Sequence, residues 1–270
     1  YVFARHFIVP PVHDPSWIEV LNRLIEEYHI DYVFPAHDGV VLALAQNAER
    51  LASKVVSSPR ETCLITRSKS ETYRLFAGLL PVPTLYDDPD LIPQYPVFVK
   101  PDKGQGSLGA RAVHTREHLR IIQQDQENLL IMEYLPGDEY TVDCFSDRER
   151  GLLFCRGRQR VRMRSGISMN SRPVGEAENL VFREYGEIIS TKLALYGAWF
   201  FQVKKDRSGT YKLLEIAPRI AGTMALHRVL GVNFALLSIY EQERIPFNVL
   251  VNHMDVEIDR ALVNRYRHSL

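Results

Sequence analysis

A glycine-rich loop between two strand-like segments restricts the fold more than any other feature of the sequence. The loop spans residues 103–109 and reads KGQGSLG. Segment 97–100 (VFVK) before it is apolar up to its last residue, and segment 110–113 (ARAV) after it alternates in polarity. Glycine carries no Cβ, so the backbone amides of such a loop can approach phosphate oxygens closely. The sequence therefore predicts a glycine flap that joins two strands and covers a phosphate group.

The same loop matches G-x-G-x-x-G, the fingerprint of dinucleotide-binding proteins, and Glu133 ends the next predicted strand. That fingerprint requires a tight turn from a strand into a helix. Here residues 100–102 separate the strand from the first glycine, and a strand pattern follows the loop. A nicotinamide-dependent oxidoreductase is therefore disfavoured, while a plain glycine-rich hairpin stays an alternative to a phosphate site.

Residues 1–66 alternate between helix and strand patterns. A helix follows Ser16, a strand covers 31–35, a second helix covers about 40–51, and 55–56 is another strand. This order is typical of a parallel sheet covered by helices. Neither an opening strand nor an initiating methionine precedes it, so we expect the chain to begin within a longer protein.

The remaining chain has longer strands with antiparallel patterns. We expect an α/β fold with α+β lobes, divided into residues 1–66, 67–137 and 138–270. Segment 206–209 (DRSG) is a typical hairpin turn. The other predicted elements are helices at 68–78, 115–124 and 177–195, helices after Gly222 and Asn233, strands at 129–133, 198–204 and 211–217, and antiparallel strands within 139–164.

Composition excludes several classes of function. Lys and Arg together number 33, as do Asp and Glu, so the formal net charge is zero. Nucleic-acid and membrane-surface binders depend on a basic excess, and no apolar run reaches the roughly 20 residues of a membrane span. The start of the chain lacks a signal-peptide pattern. Three cysteines without a C-x-x-C pair predict buried free thiols and a cytoplasmic protein.

Two lysines are candidates for phosphate binding. Lys100 ends an otherwise apolar strand, where a lysine requires a partner or a ligand. A phosphate under the adjacent glycine loop would provide one. Lys69 precedes Gly104 by 35 residues and could supply a second positive charge. The alternative for Lys69 is a surface position on a helix.

Two carboxylates flank a predicted turn between strands. Glu133 precedes the turn and Glu139 follows it. Polar groups at such a hinge suit the amino group of adenine and the hydroxyls of ribose. The alternative is a hairpin whose acidic side chains are solvated.

Five arginines occupy every second position from 156 to 164. On a strand this period places all five on one face, where they repel each other unless anions or carboxylates oppose them. The pattern indicates either an anion-lined cleft wall or a solvated face. We expect the strand to end near Arg162 and residues 163–170 to form a loop.

Gln202 and Glu215 lie on the two arms of the predicted hairpin, where they could face each other. Two oxygen donors beside a triphosphate suit Mg²⁺, with waters and phosphate oxygens completing its octahedron. Arg219, just after Pro218, could clamp a phosphate or an acyl group.

Taken in order, these segments resemble the ATP-grasp superfamily. The resemblance is greatest to the synthetase halves of the large subunit of carbamoyl-phosphate synthase and to related carboxylate–amine ligases. It extends over residues 31–233, most of the chain. The matching stretches are 31–35 with Asp38, Lys69, 96–101, 104–109, 133–143, Gln202, and 215–219 followed by Gly222.

The resemblance implies an ATP-grasp fold preceded by a partial α/β domain with a parallel sheet. It implies ATP as the nucleotide and Mg²⁺ as the metal, with Mn²⁺ as an alternative. Gln202 and Glu215 match metal ligands, and Arg219 matches the arginine of an E-x-N-P-R motif, with a catalytic role shared with Lys100. The positions that match ATP-binding residues are Lys69, Lys100, Gly104, Gly106, Ser107, Gly109, Glu133, Tyr134, Leu135 and Glu139.

The implied activity is an ATP-dependent ligase that activates a small carboxylate as an acyl phosphate. An amine or similar nucleophile would then displace phosphate. The implied partners are these small substrates, without nucleic acid or membrane, and a homodimer is compatible with the resemblance.

The sequence departs from the family pattern at one position. The family places Asn two residues after the metal-binding Glu, where this chain has Ala217. Alanine offers no oxygen, which removes one of the usual two Mg²⁺ sites unless another group substitutes. A nucleotide-binding subunit with weak or no ligase activity is therefore the alternative function.

Overall fold

The structure is a computed structural model that describes residues 5–104, 106, 108–126, 128–252 and 254–261. Its strands form three sheets, each in a different part of the chain. The first sheet has two parallel strands, the second has three antiparallel strands and the third has six antiparallel strands.

The first part of the chain alternates helices and strands, as predicted. Its elements are α1 (Trp17–Tyr28), β1 (Tyr32–Val33), α2 (Asp38–Gln46), β2 (Lys54–Val55) and α3 (Arg60–Arg67). β1 and β2 pair in parallel, with Tyr32 opposite Lys54. The apolar residues of α1 lie at helical spacing, which buries Trp17, Ile18 and Ile25 against the next elements.

Two elements of this part differ from the prediction. Helix α2 begins at Asp38 and ends at Gln46, and a separate 3₁₀ turn covers Ala48–Arg50. Helix α3 has no counterpart in the predicted elements. Its buried face consists of Thr62, Cys63 and Thr66, which do not produce a strong apolar period.

The three-stranded sheet confirms the strand-to-strand interpretation of the glycine loop. Around it lie α4 (Lys69–Phe76), β3 (Val97–Pro101), β4 (Arg111–Val113), α5 (Arg116–Asp125) and β5 (Leu129–Glu133). The strand order is β4-β3-β5, and β3 and β4 are antiparallel. The element after the loop is thus a strand, so the dinucleotide interpretation is wrong. Leu119 and Ile122 of α5 pack on Val97 and Val99 of β3.

The six-stranded sheet is the largest unit of the fold. Its order is β10-β9-β6-β7-β8-β11. The elements of this part are β6 (Glu139–Asp147), β7 (Gly151–Arg164), β8 (Ile167–Pro173), α6 (Glu176–Lys192), β9 (Gly197–Lys205), β10 (Tyr211–Ala217), α7 (Ala225–Val229), α8 (Phe234–Gln242) and β11 (Ile258–Asp259).

The loop expected at residues 163–170 is instead a hairpin. β7 continues to Arg164, and β8 starts at Ile167. Between them, Ser165 and Gly166 have φ values of 48° and 71°. Two successive residues with positive φ are typical of the tight turn that joins antiparallel strands. The prediction fails because a serine at the first of these positions is a weak signal.

The two faces of the large sheet bury separate apolar clusters. One face packs against α6, where Phe182 and Ile189 contact Val142 and Phe201. The other face packs against α7 and α8, where Phe145, Phe200 and Phe234 belong to one cluster. The second cluster covers only part of its face, and polar residues occupy the rest.

Each of the three sheets lies within one of the three predicted segments. Helix α4 belongs to the second segment by sequence but packs against the large sheet of the third. Tyr73 of α4 donates a 2.8 Å hydrogen bond to the carbonyl of Leu214 in β10, and Phe76 is fully buried in the core of the large sheet. The division into residues 1–66, 67–137 and 138–270 stays a prediction.

Within the described residues, no helix is long and apolar enough to cross a membrane. Cys63, Cys144 and Cys155 are all free and buried, as expected. The side chains of Cys144 and Cys155 lie opposite each other on β6 and β7, with their sulfurs 3.7 Å apart.

Candidate active site

A row of polar side chains crosses one face of the large sheet. Thr141 lies opposite both Arg158 and Gln202, and Gln202 lies opposite Glu215. Directly paired residues share a face of a sheet, so these four side chains form one row. The predicted opposition of Gln202 and Glu215 is confirmed, while their role as metal ligands stays a prediction.

This row forms the floor of a cleft under the glycine loop, which we call the flap cleft. It lies between the three-stranded and six-stranded sheets and, including the part open to solvent, has a volume of about 640 Å³. Most of the predicted phosphate and metal positions meet here. The lining includes Lys69, Lys100, Gly104, Gly106, Glu139, Arg160, Gln202 and Glu215.

Both predicted lysines reach the flap cleft from the small sheet side. Lys100 is only 9% exposed, and its Nζ donates to the hydroxyl of Tyr73 at 2.8 Å. Burial, with the neighbouring charge of Lys69, lowers the pKa of Lys100 to about 7. Burial also lowers the pKa of Lys69, whose Nζ donates to the carbonyl of Asp102 at 3.0 Å. The surface alternative for Lys69 is therefore wrong, and two dehydrated ammonium groups here favour an anionic ligand.

Glu215 supplies negative charge opposite these lysines. Its carboxylate makes no hydrogen bond or ion pair within the described part of the chain, and it lines the flap cleft. Its charge partly offsets the effect of burial on the pKa of Lys69 and of Lys100. Because no protein donor occupies the Glu215 carboxylate, it is available to bind a metal cation. The two lysines nearby could bind the anion that such a cation accompanies.

Glu139 and Gln202 share a partner that the sequence did not indicate. The Nη1 atom of Arg160 bonds to the Glu139 carboxylate and to Oε1 of Gln202, the latter at 2.8 Å. Nη2 of Arg160 bonds to the carbonyl of Gly166 in the β7–β8 turn. The Lys204 ammonium lies 3.8 Å from Glu139. The carboxylate predicted to contact ribose is thus held by cations, and the solvated alternative for Glu139 is wrong.

The predicted adenine hinge lies beside the flap cleft rather than in its wall. Glu133 accepts from the backbone N–H of Thr84 at 3.0 Å and pairs with Lys212 at 3.0 Å. Leu135 is buried, and Tyr134 is half-buried at the surface beside Glu133. The solvated alternative for Glu133 is wrong, because the carboxylate joins β5, β10 and the segment before β3. The contact of this hinge with adenine stays a prediction.

The glycine loop approaches the strands closely at its two ends. A Cβ at Gly109, where φ is 73°, would lie 3.1 Å from Cγ of Pro101. A Cβ at Gly104 would lie 3.3 Å from Cβ of Pro101. Gly106, with φ of 59°, lines the flap cleft. Ser107, also a predicted nucleotide contact, lies outside the described residues.

Arg219 extends from the end of β10 toward the first part of the chain. Its Nε donates to Oδ1 of Asp38 at 2.5 Å, and its guanidinium lies 5.0 Å from the ring centroid of Phe200. Asp38 begins α2, so the ion pair joins the first part of the chain to the large sheet. Arg219 does not line the flap cleft and instead lines a neighbouring one.

That neighbouring cavity, which we call the arginine cleft, has a volume of about 1220 Å³ including the part open to solvent. It continues from the flap cleft, because Arg160, Gln202 and Glu215 line both. Its charged lining combines cations with two carboxylates, a composition that suits zwitterionic ligands. The charged residues are Asp38, Arg158, Arg160, Glu215, Arg219 and Arg260.

Carboxylates oppose three of the five alternating arginines. Arg158 is 1% exposed and forms a double hydrogen bond with Asp143, at 2.7 and 3.1 Å. Arg160 pairs with Glu139, and the exposed Arg162 pairs with Asp259. A solvated face is therefore wrong for Arg158 and Arg160, which line the arginine cleft. Register shifts around Arg162 end the simple alternation that the sequence suggested.

Asp143 is itself part of a buried polar network. His227 of α7 places Nε2 2.9 Å from Oδ2 of Asp143, and Arg158 donates to Oγ of Ser171 at 3.2 Å. Burial opposes the charge of Asp143, but Arg158 and His227 hold the pKa of its carboxyl below the usual value. Such buried ions are costly unless paired, so the network fixes the Arg158 guanidinium at the floor of the cleft.

The donors of the flap cleft fit one Mg²⁺ ion. Gln202 and Glu215 offer an amide and a carboxylate oxygen, and Mg²⁺ typically combines one or two carboxylates with waters and substrate phosphates. The described residues contain no group of three or more His, Cys, Asp and Glu that could hold a metal alone. Ala217 is buried beside Phe200 and adds no oxygen. A second metal therefore lacks its expected ligand.

Comparison with known proteins agrees with this geometry. Residues 125–257 match a family model described as ATP-grasp in the biosynthetic pathway with Ter operon. The biotin carboxylase domain of Hydrogenobacter thermophilus 2-oxoglutarate carboxylase, solved with MgADP and bicarbonate, superposes with a TM-score of 0.77. The match covers 93% of this chain and 62% of that chain at 13% identity.

About half of the chain thus resembles the ATP-grasp family, and its fold resembles that of the biotin carboxylase domain.

Two ligases are among the proteins that the chain resembles. L-amino acid ligase from Bacillus licheniformis has a TM-score of 0.67 and 19% identity, over 89% of this chain and 63% of that chain. The 3-methyl-D-ornithine–L-lysine ligase of Methanosarcina mazei is 27% identical over 120 residues. That match covers 44% of this chain and 30% of the relative, so the chain spans only part of the length of the proteins it matches.

Sequence reasoning found most of the flap cleft and missed the residues that connect it to the arginine cleft. Lys69, Lys100 and Glu215 meet as predicted, and Arg219 lies in the adjoining cavity. The individual role of Arg160 was missed. The available signal was its cross-strand position relative to Glu139 and Gln202, which requires the register of three strands.

Proposed function

We propose that this chain carries out ATP-dependent ligation of a small carboxylate to an amine, releasing ADP and phosphate. The observation that carries this proposal is the free Glu215 carboxylate facing Lys69 and Lys100 in a flap-covered cleft that opens into a second, charged cleft. The flap cleft suits a nucleotide phosphate chain. The arginine cleft suits the two substrates, which are the carboxylate that receives the phosphoryl group and the amine that is joined to it.

The roles of the residues follow from their charges. Lys69 and Lys100 neutralise phosphate charge, and the glycine flap excludes water that would hydrolyse an acyl phosphate. The hinge from Glu133 to Leu135 receives adenine, and Glu139 receives the ribose hydroxyls. When bound at Gln202 and Glu215, Mg²⁺ would neutralise negative charge on phosphate oxygens. The chain needs little covalent chemistry of its own, because positioning and electrostatics dominate phosphoryl transfer.

We further propose amino acids as the substrate class. Two relatives are ligases whose names specify amino acids. In this chain, Arg260 offers a guanidinium group for a carboxylate. Arg219 and Asp38 would exchange their mutual ion pair for contacts with the carboxylate and the ammonium group of the substrate. A zwitterion requires both signs within one cavity, which the arginine cleft provides.

The test is substrate-dependent release of ADP and phosphate. The chain is incubated with ATP, Mg²⁺ and pairs of amino acids, and products are identified by mass spectrometry. Lys100→Ala and Glu215→Ala should each lower turnover by about 10² or more, the usual loss for a main electrostatic stabiliser. Turnover within a few-fold of wild type in either variant would contradict that residue's role. Lys192→Ala, on the exposed end of α6, is the matched control.

Ala217 favours a second candidate function, a nucleotide-binding subunit with weak or no ligase activity. With one metal ligand missing, nucleotide could bind without efficient phosphoryl transfer. Nucleotide binding without ADP release across the amino-acid panel would support this function. ADP release that depends on a carboxylate would exclude it.

Several finer predictions rest on the sequence and the resemblance alone. They are the similarity to carbamoyl-phosphate synthase halves, Mn²⁺ in place of Mg²⁺, a homodimer and a cytoplasmic location. Light scattering in solution tests the dimer, and activity with Mn²⁺ as the sole divalent ion tests the metal.

A further inference from the structure

Arg160 occupies the junction between the two clefts. It lines both the flap cleft and the arginine cleft, and its side chain is 5% exposed. Its guanidinium therefore lies beside the opening that connects the proposed nucleotide site with the proposed substrate site. Of these two clefts, Arg219 lines only the arginine cleft, and Lys69 and Lys100 line only the flap cleft.

The hydrogen bonds of Arg160 use groups that are assigned to other ligands. Nη1 bonds to Glu139 and Gln202, which the proposed function assigns to ribose and Mg²⁺. The Nε atom is buried and has no hydrogen-bond partner in the described structure. A buried donor without a partner is unfavourable, and a guanidinium can bind a phosphate with two parallel N–H groups.

Nucleotide binding would change the charge balance around this arginine. If ribose and metal engaged Glu139 and Gln202, the guanidinium would lose both of its side-chain acceptors and keep only the carbonyl of Gly166. A phosphoryl group at the junction of the two clefts would offer this guanidinium negatively charged oxygens as acceptors. On the proposed function, we propose that Arg160 is a catalytic residue that binds the γ-phosphoryl group of ATP as it passes to the substrate carboxylate.

The chemical step is balanced without any proton transfer by Arg160. A carboxylate oxygen attacks the γ-phosphorus, the bond from this phosphorus to the β,γ-bridging oxygen breaks, and ADP leaves with the electron pair. The neutral amine then attacks the acyl carbon, the carbon–oxygen bond to phosphate breaks, and the amine loses one proton to solvent. Arg160 keeps its charge and stabilises the phosphoryl oxygens in both steps.

A binding experiment tests this role without knowledge of the amino-acid substrates. Calorimetry would measure Kd for Mg-ADP and for the Mg complex of the β,γ-imido analogue of ATP, which alone has a γ-phosphoryl group. We expect Arg160→Gln to raise the Kd of the analogue by about tenfold more than the Kd of ADP, because one charged contact is lost. Arg160→Lys should retain part of the preference, because it keeps the charge but loses the planar fork.

Arg162→Gln is the matched control, since Arg162 lies on the same strand but is 54% exposed and paired with Asp259. It should leave both Kd values unchanged. If Arg160→Gln weakened the binding of both nucleotides equally, or of neither, the inference would be overturned while the proposed function stands. If Arg160→Gln does not fold, Arg160→Lys is measured instead. Equal weakening of both nucleotides, or no weakening, in that variant would also overturn the inference. Absence of nucleotide binding by the unmodified chain would overturn the proposed function and the inference together.

Discussion

At the scale of single residues, Lys100 is a buried lysine whose surroundings disfavour its charge. Burial and the neighbouring charge of Lys69 lower the pKa of Lys100 to about 7, although Glu215, Glu139 and Asp102 oppose this shift. In the unfolded chain a lysine has a pKa near 10.4. The folded state therefore binds fewer protons between these values, and its stability rises with pH across that window. The site thus carries a stability cost at low pH that a bound anion would remove.

This cost makes a stability prediction for Lys100→Met. Without nucleotide, the variant should melt about 3–6 °C above wild type near pH 6.5, because the buried charge is gone. The gain should shrink by about pH 9.5, where Lys100 is already neutral in the folded state. Lys192→Met on the exposed end of α6 should show no such pH-dependent difference. A gain that grows with pH would contradict the assignment of the cost to the Lys100 charge.

The residue scale also shows what the sequence can predict about the site. Gln202 and Glu215 could be paired in advance, because one short hairpin determines their register. The burial of Arg158 and Arg160 could not, because their partners Asp143 and Glu139 lie on another strand. Charge alternation identified a special strand face but could not distinguish an internal ion pair from a ligand site.

At the scale of elements, packing of α6 on the large sheet depends on the absence of a side chain at Gly157. A Cβ there would lie 2.3 Å from Cδ2 of Phe182, which is fully buried, and 3.1 Å from Cγ2 of Val174. The φ of Gly157 is not in the left-handed region, so the constraint is space rather than backbone conformation. The helix can lie close to β7 only because this position is glycine.

Gly157→Ala should therefore lower the free energy of unfolding by about 1–3 kcal/mol, the usual cost of overpacking a core. Denaturant titration measures this change. Gly175→Ala, at the start of α6, is the control, because its added Cβ would meet only the flexible end of Glu178, at 3.1 Å. A loss in Gly157→Ala no larger than in the control would show that α6 does not pack as described.

Long periodic elements were predictable, and short or polar ones were not. Helices α1 and α6 and strands β9 and β10 follow their apolar patterns within a few residues. Helix α3 was not predicted because threonines and a cysteine form its buried face. The β7–β8 hairpin was not predicted because its turn has Ser165 before a glycine and its strands are rich in polar residues.

At the scale of the whole molecule, the site exists only where three parts of the chain meet. Lys100 comes from the small sheet, and Lys69 comes from α4, which packs on the large sheet. Glu215 comes from the large sheet itself, and Asp38 comes from the first part. The ion pair between Asp38 and Arg219 connects the last two. The order of motifs predicted the superfamily, but the shape of the two joined clefts required the tertiary structure.

The central claim is that the flap cleft binds a magnesium nucleotide, and melting temperature tests it most directly. The chain is compared without ligand, with Mg-ADP, with Mg-ATP, with ATP plus EDTA, and with NAD. A ligand at 100 times its Kd stabilises by about 2.7 kcal/mol, which corresponds to roughly 5–10 °C for a chain of this size. We predict a shift of this order with Mg-nucleotide, a smaller shift with EDTA and none with NAD. No shift with any adenine nucleotide, or a shift with NAD alone, would contradict the account.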